Sequence, residues 1–370
     1  MSKVYFTDFT AKFGDDILSK FERFLSASEL DKIDFDGKLV AIKIHFGELG
    51  NLAFLRHQYA RVLVDHIKKR GGKVFLTDAN TLYPGFRGNA VDHISCASYN
   101  GYTELSAGAP IIIADGLRGT DEREIPVEGA VHVKAAKIGA AIAEADVLIS
   151  LTHCKGHIEA GFGGVLKNLG MGSGSKKGKM EMHSHGTPKI DTDLCIGCGM
   201  CKKHCANSGV NIVDKKAVID EDHCLGCGYC ISYCPKGAIL CKWDEASEAL
   251  NEKITEYAKA AIGDKPSYHI AIINDVQWNC DCNGARGETL IPDLGIFAGS
   301  DPVAVDQACV DAINKAPLNP KGKAAKKMED GSVSIHDVFI AAHPKTDYRV
   351  ALTHGEKIGL GSREYELINF

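Results

Sequence analysis

From Leu39 to His45 the chain is an apolar run broken only by Lys43, and it stops at the polar group His45-Phe46-Gly47-Glu48. Such a run reads as a buried strand. Between Phe54 and Lys69 the apolar positions Leu55, Tyr59, Val62, Leu63 and Ile67 keep a helical period, with Gly71-Gly72 as the stop. Val74 to Thr77 is a second strand, so the order strand, helix, strand predicts a parallel α/β unit with a right-handed crossover. Pro110 to Ala114 predicts a third strand, ending at Asp115-Gly116. Ala135 to Ala145 reads as a short Ala-rich helix feeding the strand Val147 to Leu151, which ends at His153-Cys154-Lys155-Gly156-His157.

The same grammar returns late in the chain. Glu245 to Ala261 is helical by its alanines and charges and is expected on the surface. His269 to Asn274 and Leu294 to Ala298 read as strands, and Asp301-Pro302 supply the N-cap and first turn of an Ala/Val-rich helix. The fold class is therefore α/β with a mostly parallel sheet, carried by residues 1–186 and 244–370.

Residues 187–243 break the pattern and bring in the chemistry. Two runs, Cys195-x2-Cys198-x2-Cys201-x3-Cys205 and Cys224-x2-Cys227-x2-Cys230-x3-Cys234-Pro235, have the spacing of a bacterial ferredoxin with two 4Fe-4S clusters. In that spacing the fourth cysteine of each run serves the other cluster. The expected sets are Cys195, Cys198, Cys201 and Cys234 for one cluster, and Cys224, Cys227, Cys230 and Cys205 for the other. Ala206 stands where the first run would carry its proline. Zinc sites are built on paired ligands and do not call for four-cysteine runs.

In parallel sheets, ligands bind outside the carboxyl ends of the strands. Four strand ends here carry polar residues: His45 and Glu48, then Asp78, Asn80 and Thr81, then Asp115, then His153 and His157. Gly161 to Asn168 adds close glycines and Lys167, a setting in which backbone amides can approach an anion. Gly172 to Lys179 reads equally as a flexible, solvated hinge. Cys280 and Cys282 lie one residue apart in a Gly- and Asn-flanked turn, and with Cys154 they form a candidate soft metal site.

The net charge of −5 argues against nucleic acid or an anionic membrane as partner. Fourteen cysteines without an export segment point to a reducing compartment, and no apolar stretch has the length of a membrane span. A cytoplasmic protein of an anaerobic setting is the expectation.

The segments KIHFGELGN (Lys43 to Asn51), TDANTLYPGFRGNAVDH (Thr77 to His93), GFGGVLKNLGMG (Gly161 to Gly172), CDCNG from Cys280, and DLGIFAGSDPVAVDQA ending at Ala308 resemble the iron-sulfur centre proteins of domain-of-unknown-function family 362. That resemblance implies a redox-linked α/β protein and supplies no reaction. The pattern Lys155-x-His157, Lys167, a Gly-rich turn and His183 resembles the lactate racemase family, whose members hold nickel in a pincer nucleotide. It implies Lys167 at the cofactor-linking position, His183 as a metal ligand and His157 at an acid-base position, and so a further metal or nucleotide-type cofactor.

Three readings follow. The first is an iron-sulfur oxidoreductase that exchanges single electrons with a redox partner protein and acts on a small molecule at a site lined by His45, Asp78, His153, His157, Lys167, Cys280 and Cys282. The second is a ferredoxin-like carrier or docking protein without its own catalysis. The third is a nickel-pincer isomerase-like enzyme. The number of polar residues gathered at strand ends favours the first.

Overall fold

A computed structural model describes residues 1–83, 85–184, 187–205, 207–332 and 336–370; Ala206 lies outside them. One 8-stranded sheet organises the chain. Its strands are β1 (Ser2–Asp8), β2 (Leu39–Lys43), β3 (Lys73–Asp78), β4 (Ile111–Ile113), β5 (Val147–His153), β6 (Ser267–Ile273), β7 (Gly295–Gly299) and β8 (Tyr365–Asn369). Across the sheet they lie in the order β8-β1-β7-β6-β5-β2-β3-β4. Every neighbouring pair is parallel except the two pairs that β7 makes, with β1 and with β6.

Alternation along the strands builds two cores. Val40 and Ile42, Ile149 and Leu151, and Ile270 and Ile272 face helices α1 (Ile17–Ala27) and α2 (His57–Lys68), which contribute Phe21, Phe24, Leu63 and Ile67. Ala41, Leu148, Ala271 and Ile273 face the other way, toward α3 (Val165–Ser173), α4 (Ser247–Ile262) and α5 (Pro302–Lys315). Asp301 caps α5 by accepting from the Val303 and Ala304 amides, with Pro302 in the first turn, as its sequence predicts.

Three expectations are corrected. Ala135 to Ala145 is not one helix: Ala135–Gly139 is a strand paired with Glu122–Pro126, and only Ala140–Ala143 is helical. Helix α4 is not a surface helix. It is wedged between α3 and the C-terminal helix Arg349–Lys357, and its Asn251, Lys253, Thr255 and Glu256 are buried with partners. Glu256 accepts the amides of Val131, His132 and Val133 and pairs with His354. Gly172 to Lys179 is no solvated hinge, because Gly172 and Ser173 end α3 and Lys176–His183 is a helix with Lys176 and Lys179 buried. At Gly170 a Cβ would lie 1.9 Å from the Ile254 carbonyl oxygen, so α3 and α4 approach as closely as they do only because that residue has none.

The cysteine-rich segment folds beside this body. Lys189–Ile190 pairs antiparallel with Ile239–Leu240, placing its entry and exit side by side. Between them Val210–Val213 and Lys216–Ile219 form a hairpin whose two turn residues, Asp214 and Lys215, both have positive φ. The helices Met200–Lys203 and Tyr229–Tyr233 each follow a left-handed glycine, Gly199 and Gly228, so the repeat in sequence is a repeat in backbone. Cys195, Cys201, Val210, Ala217, Cys230, Ala238 and Ile239 form its small core. Ile231 and Trp243 pack on Leu82, Met180 and Cys241, which joins the segment to the α/β body. Among the described residues, no helix is long and apolar enough to cross a membrane.

Candidate functional site

The carboxyl ends of β2, β3 and β5, the N-terminal part of α3 and the turn after β6 enclose one cavity. Lys43, His45, Asp78, Lys155, His157, Lys167, Cys280 and Cys282 all line it, with Tyr83, Arg87, Lys179 and His183. Leu82 and Trp243 close it toward the cysteine-rich segment.

Buried charge in the cavity wall is paired, as it must be to stay charged. Lys43 lies 2.9 Å from Asp78 and donates to Asn168 at 2.8 Å. Burial alone would raise the Asp78 carboxyl, but the Lys43 ammonium beside it outweighs burial and holds it below the ordinary carboxylate range. Arg87 donates to Glu48 at 3.0 Å, to the His45 Nε2 at 2.9 Å and to the Cys282 carbonyl at 3.1 Å. Because a guanidinium only donates, the His45 Nε2 must accept; its Nδ1 accepts the Gly47 amide at 3.0 Å and lies 3.7 Å from Asp281. Burial holds the His45 pKa well below its usual value. Lys167 and Lys179 differ from the other cations in having no carboxylate within ion-pair distance among the described residues. Burial pushes Lys179 down to about 8.

Asp281, between the two cysteines, is the anchor of their turn. His153 Nδ1 lies 3.0 Å from it and Lys155 Nζ 3.3 Å. His153 spends its other nitrogen on the Asn274 carbonyl at 2.7 Å and does not line the cavity, so it positions Asp281 instead of meeting a ligand. Burial works against the Asp281 carboxylate, and Lys155 with the hydrogen bond to His153 outweighs it and holds the pKa well below the usual value.

Among the described residues, His157, Cys280 and Cys282 are the three metal-ligand-type side chains whose donor atoms lie within 4.8 Å of one another. Cys280 Sγ is 3.9 Å from Lys167 Nζ and 3.5 Å from an Asp281 oxygen, and it accepts the Cys282 amide at 3.4 Å. The His157 Nδ1 accepts the amides of Glu159 at 3.2 Å and Ala160 at 3.1 Å. Cys154 is elsewhere: its thiol meets Cys309 inside the core, on the far side of the strand end, and it lines no part of the cavity. His183 does reach the cavity, with Nδ1 3.3 Å from Glu159 and its ring against Trp243, but it is not one of the clustered three. The expected set of Cys280, Cys282, Cys154 and His183 is thus not brought together.

Sequence reasoning missed Lys43, Tyr83, Lys179 and Asp281 as parts of the site. Lys43 carried a signal, a charge inside an otherwise apolar strand; Tyr83 and Lys179 carried none that spacing could show.

Two further small cavities lie in the cysteine-rich segment. One is lined by Cys195, Cys198, Cys201 and Cys234, the other by Cys205, Cys224, Cys227 and Cys230. The two are alike in size. Backbone amides point at the sulfurs: Ala217 to Cys195 at 3.3 Å, Ala238 to Cys234 at 3.2 Å and Gly209 to Cys205 at 3.2 Å.

A family model described as Domain of unknown function (DUF362) matches residues 40–311. No curated protein matches the chain in sequence. Among solved structures, the lactate racemase apoprotein from Thermoanaerobacterium thermosaccharolyticum is similar over 86% of this chain, with a TM-score of 0.45 and 13% identity. A protein from Thermotoga maritima is similar over 69%, with a TM-score of 0.36 and 12% identity. The chain spans 58% of the first structure's length and 50% of the second's.

Proposed function

Since the chain belongs to the family described as domain of unknown function DUF362, which assigns no reaction, we propose from its own residues that it is an iron-sulfur redox protein. Single electrons pass between a partner protein and the cavity at the strand ends. Residues 187–243 form the electron-carrying module, and residues 1–186 with 244–370 form the α/β domain that holds the site.

One observation carries this reading. The two cysteine-lined cavities divide the eight thiols into the two crossed sets that a two-cluster ferredoxin requires, with no carboxylate or imidazole in either lining. All-thiolate surroundings with amide donors to sulfur suit a 4Fe-4S cluster in each. When bound, such clusters supply one-electron transfer at a potential set by hydrogen bonds and exposure. The α/β body supports a destination. The helix that carries Cys230 is preceded by Gly228, which lies against Leu82 and Met180, and Leu82 is part of the cavity wall. At that wall Arg87 pairs with Glu48, and Lys43 and Lys155 hold Asp78 and Asp281 ionised, which leaves Lys167 and Lys179 to meet a small anionic substrate. A mere carrier has no use for such a cavity.

Anaerobic purification with metal analysis and EPR tests the reading. About eight iron atoms per chain with reduced 4Fe-4S signals are expected. Iron well below that number, or zinc in its place, would sink it.

A further inference from the structure

The cavity holds a pair of groups that electron delivery alone does not explain, Cys280 and Cys282. We propose that they are a redox-active dithiol: an intramolecular disulfide between them takes up two electrons and two protons, the S–S bond breaks, and two thiols form facing the cavity. The reductant is a low-potential one-electron donor acting through the cysteine-rich module, so this part of the proposal rests on the reading above.

Three features carry it. The sulfurs lie within 4.8 Å of each other on residues separated only by Asp281. That residue is fixed by Lys155 and His153, so the turn is rigid and the sulfurs are held in register. Forming the bond brings the sulfurs from that separation to about 2 Å.

Second, the surroundings favour reduced sulfur. Lys167 Nζ stands 3.9 Å from Cys280 and has no carboxylate within ion-pair distance among the described residues, while Arg87 caps the Cys282 carbonyl. The Cys280 thiol donates toward Cys282, which with those cations brings the Cys282 thiol down to about 6.

Third, His157 argues against a metal at this place. A neutral imidazole has one free lone pair. In His157 that lone pair is at Nδ1 and is taken by the amides of Glu159 and Ala160. The remaining nitrogen is an N–H, able to donate to a thiolate and unable to bind a cation. Burial keeps the ring from gaining a second proton, its pKa being pushed well below the usual value. Two electrons per disulfide also match two one-electron centres per chain.

The full-length protein is oxidised anaerobically with diamide, treated with dithiothreitol or with a low-potential one-electron donor, quenched in acid, alkylated and digested with trypsin. The fragment that ends at Arg286 carries Cys280 and Cys282 and no other cysteine. It should gain no alkyl group after oxidation and two after either reductant, and Cys282→Ser should gain one under every condition. Two alkyl groups in the oxidised wild-type fragment overturn the proposal. So does a metal, beyond the iron of the clusters, that copurifies with the wild type and is lost from Cys280→Ser/Cys282→Ser. A disulfide that dithiothreitol opens and the one-electron donor does not supports the couple while overturning the electron route of the preceding reading.

Discussion

Lys155 Nζ lies 3.3 Å from an Asp281 oxygen, which ties the end of β5 to the turn between Cys280 and Cys282. Both groups are buried, so removing one partner leaves the other uncompensated, at about 3–5 kcal/mol. Lys155→Met and Asp281→Asn should each lower stability by that order, measured by denaturant unfolding of the anaerobic protein. The double variant should lose clearly less than the two single losses together. Additive losses would mean the pair does not act as a unit.

The close approach of α3 and α4 at Gly170 makes a second prediction. Gly170→Ala forces a methyl against the Ile254 carbonyl and should cost on the order of 1–3 kcal/mol by overpacking, although alanine is the better helix former. A variant as stable as the wild type would show that the helices can part freely.

Glu256 gives stability a pH dependence. Burial alone would raise its pKa, but the His354 bond and the amides of Val131, His132 and Val133 outweigh burial and lower it. A carboxylate with a folded pKa below its unfolded value contributes stability that is present above about pH 4.3 and is lost as pH falls through the folded value. Glu256→Gln should therefore lose about 1–3 kcal/mol at neutral pH. The gap to wild type should narrow as the pH drops below 4, followed by thermal melts across that range. A constant gap would count against ionised Glu256.

The crossed cysteine sets separate two variants. Cys205→Ala should disturb the cluster otherwise held by Cys224, Cys227 and Cys230, and Cys234→Ala the one held by Cys195, Cys198 and Cys201. EPR of each reduced variant, with one cluster signal altered and the other kept, checks the assignment; the reverse pattern would refute it.

For the thiols, the pH profile of alkylation at the fragment ending at Arg286 should show a half-point near 6 for Cys282, well below that of an ordinary thiol. Lys167→Gln should move that point upward, because the cation nearest the sulfur pair is lost. An unmoved half-point would remove Lys167 from the account.

Much of this was legible in the sequence. The apolar runs at Leu39, Val74, Val147 and His269 became strands because both faces of the sheet are covered, which makes the runs continuous. The sites at their ends followed from parallel topology. Helix α4 was misplaced on the surface because its charges look solvated in one dimension; Glu256 is satisfied by amides more than 100 residues away. Ala135–Gly139 reads as helix by alanine content and is a strand because Glu122–Pro126 pairs with it. Cys154 looked like a ligand beside His153 and His157, but neighbours in a strand face opposite sides, and Cys154 faces the core. The meeting of Lys167 with Cys280 crosses 113 positions, and no local pattern announces it.

The ribbon formed by Lys189–Ile190 and Ile239–Leu240 returns the chain to the place it left. Between those strands lies a length of chain whose two ends a turn alone would join, and whose Ile231 packs on Leu82 and Met180 of the α/β body. In the proposed reading the cysteine-rich segment is a cassette. A gene that acquired it, lost it or traded it for another would keep the same sheet, and in that reading the source of electrons changes while the chemistry they serve stays in place.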